Sequence, residues 1–165
     1  MEQVFVSLGA NVGQATLNLQ RGLELLKQLP WVELGRLSQI YLTEPQDLRT
    51  QPWFHNQVAE LWVDPRLSPQ ALLDQMLAIE AQVGRKRDLG APRFGPRVLD
   101  LDLLLYGTTI STTPTCLLPH PRMQARAFVL WPLYEIAPDL WFNNQPLTAH
   151  LERLSYRVEG QKIFQ

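Results

Sequence analysis

The sequence is poor in cysteine, in net charge and in long apolar runs. Cys116 is its only cysteine in 165 residues, so an internal disulfide and a cluster of cysteine metal ligands are both excluded. No apolar run approaches the roughly 18 residues of a membrane span. The formal net charge of -1 argues against a surface that attracts nucleic acid or lipid as a whole. The start, Met1-Glu2-Gln3-Val4, lacks the basic and apolar segments of a secretory signal. We therefore expect a cytoplasmic protein with no membrane partner.

Internal repeats, low-complexity tracts and Gly/Ser linkers are also missing. Hydrophobic residues make up 45% of the chain and charged residues 19%, which is typical of a folded globular protein and excludes disorder. A chain of this length can bury most of its apolar surface in one core. We expect residues 1–165 to form a single domain.

The hydrophobic pattern predicts alternating strands and helices. The predicted elements are, in chain order, a strand Val4–Leu8 closed by a tight loop Gly9–Gly13, a helix around Leu17–Leu26, β-rich runs Val32–Leu42 and Val58–Val63, a helix from Ser68-Pro69 to Gly84, a strand Val98–Tyr106 and helical segments in Arg122–Ile136. The order of the first six is typical of a ferredoxin-like α+β fold, in which an antiparallel sheet carries helices on one face. Two long loops, 43–54 and 85–97, indicate function, because long loops in small domains are usually working parts.

The segment Gly84–Gly107 carries the densest chemical signal. Its loop holds a local excess of positive charge, formed by Arg85, Lys86, Arg87, Arg93 and Arg97 against Asp88. The strand that follows places Asp100 and Asp102 two residues apart, so both carboxylates share one face of the strand. At about 6.6 Å and an effective dielectric near 20, two full charges repel by roughly 2.5 kcal/mol.

A divalent cation between the two carboxylates would turn that repulsion into binding. Oxygen ligands with no nearby His or Cys favour Mg²⁺, which leaves its other positions to water and substrate phosphates. The cationic loop would supply guanidinium groups for the phosphate oxygens. Other interpretations of both features remain open. The two carboxylates could simply face water and keep an edge strand soluble, and the loop could be a solvated run of charges or a patch that binds nucleic acid.

The run Arg97–Gly107 closely resembles the signature of the 6-hydroxymethyl-7,8-dihydropterin pyrophosphokinases of folate biosynthesis. The resemblance covers most of the chain through several motifs in the same order. These motifs are Leu8–Gly13, Tyr41–Pro45, Phe54–Asn56, Ile79-Glu80 with Gly84-Arg85, Leu118–Pro121 and Arg126–Leu133.

The resemblance implies a ferredoxin-like α+β domain that transfers pyrophosphate from ATP to the hydroxymethyl group of a reduced pterin and releases AMP. Two Mg²⁺ ions would be held by Asp100 and Asp102, and ATP would be the co-substrate. Catalysis would then rest on positioning and charge neutralisation. By the same resemblance the catalytic residues are Arg85, Arg87, Arg97, Asp100 and Asp102.

The resemblance also assigns residues to the two substrates. The nucleotide would be bound by Glu80, Arg85, Arg97, Leu103, His120 and Arg126. The pterin would be stacked by Phe54 and Phe128 and read at its edge by Asn56 and the backbone of Thr43, Glu44 and Pro45, with Phe94 nearby. Phe94 stands where the family usually has a tryptophan, in a loop about two residues longer than its commonest form.

Two other classes of protein remain as alternatives. A ferredoxin-like RNA-binding module would need aromatic residues on adjacent central strands and a basic face. The predicted strands show no such aromatic pattern, and Asp100 and Asp102 would repel a phosphate backbone unless a metal were present. A regulatory domain that senses a nucleotide would tolerate the loss of either aspartate. We expect an enzyme acting on small molecules, without a nucleic-acid partner, as a monomer.

Overall fold

The computed structural model describes residues 1–84 and 95–165, and most of its strands join one large sheet. The strands in these ranges are β1 (Glu2–Ala10), β2 (Val32–Leu37), β3 (Tyr41–Thr43), β4 (Phe54–Val63), β5 (Asp100–Tyr106), β6 (Ser111–Thr113), β7 (Cys116–Leu118), β8 (Trp141–Phe142), β9 (Gln145–Pro146), β10 (Arg157–Glu159) and β11 (Lys162–Phe164). The helices are α1 (Ala15–Lys27), α2 (Pro69–Val83), α3 (Ala127–Ile136) and α4 (Leu147–Glu152), with a 3-10 turn at Met123–Ala125.

The sheet runs in the order β10-β11-β3-β4-β1-β5, and β2 pairs with β4 beside β3. Strand β1 lies between β4 and β5 and is antiparallel to both. Strand β5 therefore lies at the edge of the sheet. The expected ferredoxin-like α+β fold is confirmed, with one difference from an all-antiparallel sheet. Strand β11, in the C-terminal tail, pairs with β3 in parallel.

Helices cover both faces of the sheet, not one. The predicted helices α1 and α2 pack on the first face over a core of Val6, Leu8, Leu19, Leu26, Leu72, Met76, Leu101 and Leu103. Helices α3 and α4 cover the second face over Phe5, Val58, Leu104, Leu130, Leu133 and Leu147. Helix α3 can do this because its sequence, AFVLWPLYEI, is apolar almost all round.

Helix α2 begins and ends where the sequence predicts. The Ser68 hydroxyl accepts a hydrogen bond from the amide of Ala71 at 3.2 Å, and Pro69 is the first helical residue. Both features satisfy or remove donors that a helix start leaves unpaired. Gly84 ends the helix at φ 117°, a left-handed conformation that glycine adopts without a steric penalty.

Long-range contacts move several predicted boundaries. Strand β1 continues through Gly9 and Ala10, which the sequence assigns to a loop, because both residues pair with β4. The predicted run Val32–Leu42 is broken at Ser38, whose hydroxyl accepts from the amide of Val58 at 2.9 Å. Arg126 divides the last helical segment into the 3-10 turn and α3.

The first predicted loop is confirmed, since residues 44–53 join β3 to β4 without a helix or strand. Only residues 95–97 of the second predicted loop are among the described residues. Arg85, Arg87 and Phe94 lie outside them, and their predicted roles stay predictions. None of the helices in the described part of the chain has the length and apolar character that crossing a membrane requires.

Candidate active site

The two carboxylates of β5 lie on one face of the strand, as the sequence predicts. Asp100 and Asp102 are half-buried, whereas Leu101 and Leu103 between and beyond them are each 4% exposed in the core under α1 and α2. Asp100 lies beside Gly9 of β1. The carboxylates therefore point to the second face, toward the start of α3.

Asp102 has two basic neighbours from the segment that precedes α3. Its Oδ1 lies 3.8 Å from Nε2 of His120, and its Oδ2 lies 3.5 Å from a guanidinium nitrogen of Arg126. The side chains of His120 and Arg126 are 19% and 18% exposed. A carboxylate, an imidazole and a guanidinium thus meet in a partly desolvated pocket, although they are distant in sequence.

His120 is neutral in this pocket. Burial, followed by the positive charges of Arg126 and Arg122, lowers the pKa of His120 to about 4. Its Nδ1 accepts a hydrogen bond from the amide of Arg122 at 3.2 Å, so the proton resides on Nε2, which faces Asp102. His120 therefore presents an uncharged N–H donor to the site at neutral pH.

Arg126 links the carboxylate side of the pocket to an aromatic ring. Its guanidinium carbon lies 5.6 Å from the centre of the Phe128 ring, within the range of a cation–π contact. Burial lowers the pKa of Arg126, and the charge of Asp102 opposes that change. Phe128 itself packs against a cluster that includes Tyr41 of β3.

One row of residues runs across three neighbouring strands of the site. Asn56 of β4 and Asp100 of β5 each pair with Gly9 of β1, which lies between them. Asn56 is 5% exposed and donates from Nδ2 to the hydroxyl of Thr43 at 2.6 Å. A methyl group on Gly9 would lie 2.9 Å from Oδ1 of Asn56. The row therefore has an amide at one end, a carboxylate at the other and no side chain between them.

Of the other predicted pterin residues, those in or directly after β3 and at the start of β4 lie near the amide end of this row. Phe54 is the first residue of β4 and pairs with Thr43. Its side chain lies on the same face of the strand as that of Asn56, because the two residues are two positions apart. Glu44 and Pro45 follow β3 directly, half-buried and buried respectively. The structure therefore brings the residues predicted to read the pterin edge to one end of the sheet.

Glu80 contacts the site through the backbone of β5. It is 2% exposed, and its Oε1 accepts a hydrogen bond from the amide of Leu101 at 2.8 Å. That amide lies between the two carboxylates, on a strand whose outer side has no neighbouring strand among the described residues. The sequence alone suggests a solvated glutamate at a helix end and the resemblance suggests a nucleotide contact. The observed contact holds the strand in place.

Two further predicted nucleotide residues lie less directly in the pocket. The side chain of Leu103 belongs to the core on the opposite face, so a nucleotide could contact only its main chain. The guanidinium of Arg97 donates to the carbonyls of Gly95 and Pro96 at 3.2 and 3.3 Å. Its backbone leads into Asp100 three residues later.

Asn11 is a site residue that the sequence-based assignment leaves out. It is 7% exposed and binds the backbone of Arg97 and the loop residues Gln51 and Pro52. Its position in the Leu8–Gly13 motif is the only signal that the sequence offers, because its partners are 40 to 86 residues away.

The fold is that of an α+β domain, and the site sets paired carboxylates beside a cationic group. The sequence model of the family described as 7,8-dihydro-6-hydroxymethylpterin-pyrophosphokinase matches residues 5–138. The chain belongs to this family: it is a diphosphokinase, a pyrophosphokinase of folate biosynthesis.

Similar proteins include three named for this pathway or enzyme. The 2-amino-4-hydroxy-6-hydroxymethyldihydropteridine pyrophosphokinase of Pseudomonas aeruginosa is 44% identical over 140 residues, 85% of this chain and 83% of that protein. The enzyme of the same name from Bacillus subtilis is 35% identical, over 96% of this chain and 90% of that one. The folate synthesis bifunctional protein of Arabidopsis thaliana is 35% identical over 99% of this chain, which spans 32% of its length.

A solved structure described as HPPK-DHPS in complex with substrates has the same fold. The TM-score is 0.67 at 11% identity, over 92% of this chain and 43% of that one. The chain therefore spans less than half of that structure, and at this identity the likeness concerns the fold alone.

Proposed function

We propose that the chain transfers pyrophosphate from ATP to 6-hydroxymethyl-7,8-dihydropterin, with Mg²⁺, and releases AMP. The observation that carries the proposal is the row Asn56–Gly9–Asp100. It sets an amide suited to a pterin edge two strands, roughly 10 Å, from a carboxylate suited to a metal. The small residue between them leaves room for the hydroxymethyl group and the phosphate that it attacks.

The donor set of the site fits Mg²⁺. Among residues 1–84 and 95–165, no group of three or more His, Cys, Asp or Glu side chains could hold a metal ion unaided. Asp100 and Asp102 offer carboxylate oxygens and would leave the remaining ligands to water and to phosphate, as Mg²⁺ prefers. Two ions bound there would neutralise phosphate charge and orient the triphosphate.

The pterin would bind at the amide end of the row. Its flat ring suits stacking by Phe54 and Phe128, and its polar edge suits Asn56 and the backbone of residues 43–45. Thr43 accepts a hydrogen bond from Asn56 at 2.6 Å, which fixes the orientation of the amide before the ligand arrives. A preset orientation lowers the entropy lost on binding.

The triphosphate would bind at the carboxylate end. Arg126 supplies a fixed positive charge and His120 an uncharged N–H donor, both in a pocket where electrostatic interactions are stronger than in water. Arg97 adds a second guanidinium once it releases its bonds to the loop carbonyls. The pterin hydroxyl would then attack the β-phosphorus in line with the oxygen that leaves on AMP, and positioning would supply much of the rate.

The covered second face of the sheet favours this proposal over an RNA-binding module. Such modules stack bases on an open sheet face, whereas Phe5 and Val58 lie under α3 and α4. We propose that the partners are small molecules and that the chain acts as a monomer in the cytoplasm.

The direct test is to incubate the purified protein with ATP, Mg²⁺ and 6-hydroxymethyl-7,8-dihydropterin and to separate the nucleotides. We expect AMP and a pyrophosphorylated pterin in equal amounts, and only when the pterin is present. The appearance of ADP would mean transfer of a single phosphate and would contradict the proposal. Binding of ATP without turnover would favour a regulatory domain.

A carboxylate variant tests the metal assignment. Asp100→Asn keeps the size of the side chain but removes its charge, so we expect Mg²⁺-dependent turnover to be lost while thermal stability is retained. Asp74→Asn is the matched control, because Asp74 is an exposed carboxylate on α2 that accepts a hydrogen bond from Gln70. Near-normal turnover in Asp100→Asn would exclude Asp100 as a required metal ligand.

A further inference from the structure

The side chain of Asn11 joins two segments that belong to different halves of the proposed site. Its Oδ1 accepts from the backbone N–H of Arg97 at 2.8 Å, and the backbone N–H of Asn11 donates to the Arg97 carbonyl at 3.0 Å. Its Nδ2 donates to Oε1 of Gln51 at 3.0 Å and to the carbonyl of Pro52 at 2.9 Å. Both polar atoms of the side chain are thus engaged, and the residue is buried.

The residues that Asn11 binds belong to the two ends of the proposed site, the pterin end and the phosphate end. Gln51 and Pro52 lie near the end of the 44–53 loop. This loop begins at Glu44 and Pro45 and leads into Phe54, and these three residues are proposed to bind the pterin. Gln51 is itself 9% exposed and donates to the carbonyl of Leu48 at 2.9 Å, so it also braces this loop. Arg97 begins the short segment that leads to Asp100 on the phosphate side.

We propose that Asn11 is a positioning residue that couples pterin binding to nucleotide binding. The proposal rests on the proposed function, since it assigns the 44–53 loop to the pterin and Arg97 to the phosphates. A ligand that orders either segment also fixes one set of Asn11 partners. The second ligand then has less to order, and each ligand strengthens the binding of the other by the same factor.

Asn11 is suited to this role by its hydrogen-bonding groups. A carboxamide offers an acceptor and two N–H donors in one plane, and all are needed here because one segment presents an N–H and the other presents oxygens. An aspartate would retain the bond to Arg97 and lose both donors. Asn11 touches neither proposed substrate, so its effect passes through the two segments that it holds.

The test compares affinities by titration calorimetry. The dissociation constant of 6-hydroxymethyl-7,8-dihydropterin is measured with and without a saturating non-hydrolysable ATP analogue and Mg²⁺, and the ratio is the coupling factor. We expect wild type to fall in the range of about 5- to 150-fold that is common for linked sites. In Asn11→Ala the factor should fall below about threefold, with the affinity for each ligand alone changed much less.

Asn18→Ala is the matched control. Asn18 is a buried asparagine on α1 whose side chain donates to the carbonyl of Val12 at 3.2 Å. Within residues 1–84 and 95–165 it makes no hydrogen bond to the 44–53 loop or to Arg97. Its loss should lower thermal stability and leave the coupling factor at the wild-type value. An equal loss of coupling in Asn18→Ala and Asn11→Ala would overturn the proposal, because it would show general loosening.

Gln51→Ala provides a second variant, in a loop outside the main core, should Asn11→Ala not fold. This substitution removes one of the two oxygens that accept a hydrogen bond from Nδ2 of Asn11. The coupling factor should therefore fall to an intermediate value. A wild-type factor in Asn11→Ala, or in Gln51→Ala alone, would refute the coupling role. Absence of coupling in a wild-type protein that still produces AMP would refute it too, whereas absence of AMP would refute the proposed function itself.

Discussion

Replacing Gly9 with alanine adds one methyl group to β1 at the point where Asn56 lies closest. The new carbon would sit 2.9 Å from Oδ1 of Asn56, closer than a carbon and an oxygen normally approach. The carboxamide must move by a few tenths of an ångström or rotate, and it is held on its other side by a 2.6 Å bond to Thr43. We expect the amide to lose its alignment with the pterin edge.

The expected magnitude follows from the hydrogen bonds at stake. Leaving a buried polar group poorly paired costs about 1–3 kcal/mol, which corresponds to roughly a 5- to 150-fold loss of pterin affinity. The backbone does not oppose the change, since Gly9 lies in an extended strand, where alanine is favoured over glycine by roughly 0.5–1 kcal/mol. Pterin affinity should therefore fall while thermal stability changes little.

Pterin titration and thermal denaturation of the same preparation measure the two quantities. Gly35→Ala is the matched control, because a methyl group there would lie 2.5 Å from Oε1 of Glu60 on β4, outside the candidate site. The control should lower stability and leave pterin affinity unchanged. Wild-type pterin affinity in Gly9→Ala would refute the role of Asn56 as the edge reader, and so would a large fall in stability with unchanged affinity.

Three further predictions concern strand position, phosphate binding and pH. Glu80→Ala should lower the free energy of unfolding by about 1–3 kcal/mol, because the Leu101 amide loses its acceptor. Glu80→Gln keeps an acceptor oxygen and should retain most of the wild-type stability, so equal melting temperatures for the two variants would contradict the role of Glu80. Arg97→Ala should lower kcat more than pterin affinity, and a change in the pterin dissociation constant alone would exclude the phosphate role. The hydrogen bond from Arg36 lowers the pKa of Glu60 from 4.5 to about 2. The pair therefore stabilises the fold fully above about pH 4.5, and this stabilisation is lost as the pH falls toward 2. Denaturation of Arg36→Leu should show a smaller loss of stability between pH 4.5 and pH 2 than denaturation of wild type.

Features governed by neighbours in sequence could be predicted from the sequence. The Ser68-Pro69 start and the Gly84 end of α2 depend on backbone conformations that those residues favour by themselves. The shared face of Asp100 and Asp102 follows from the two-residue period of any strand. The resemblance then supplied the family, because several short motifs occur in the same order along the chain.

Boundaries and partners set by distant residues could not be predicted in this way. Gly9 and Ala10 suggest a loop by composition, yet pairing with β4 makes them strand. The second helical layer forms because α3 folds back over Phe5 and Val58. The apolar sequence of α3 indicates that the helix is buried, but not which face of the sheet it covers.

The sequence by itself determined the two ends of α2, the carboxylate pair and the family. Only the tertiary structure decided that Glu80 holds β5, that His120 is neutral beside Asp102, and that Asn11 joins the 44–53 loop to the segment at Arg97. The physical reason is distance along the chain. Burial, hydrogen bonding and charge depend on which groups meet in space, and here they join residues that are 18 to 86 positions apart.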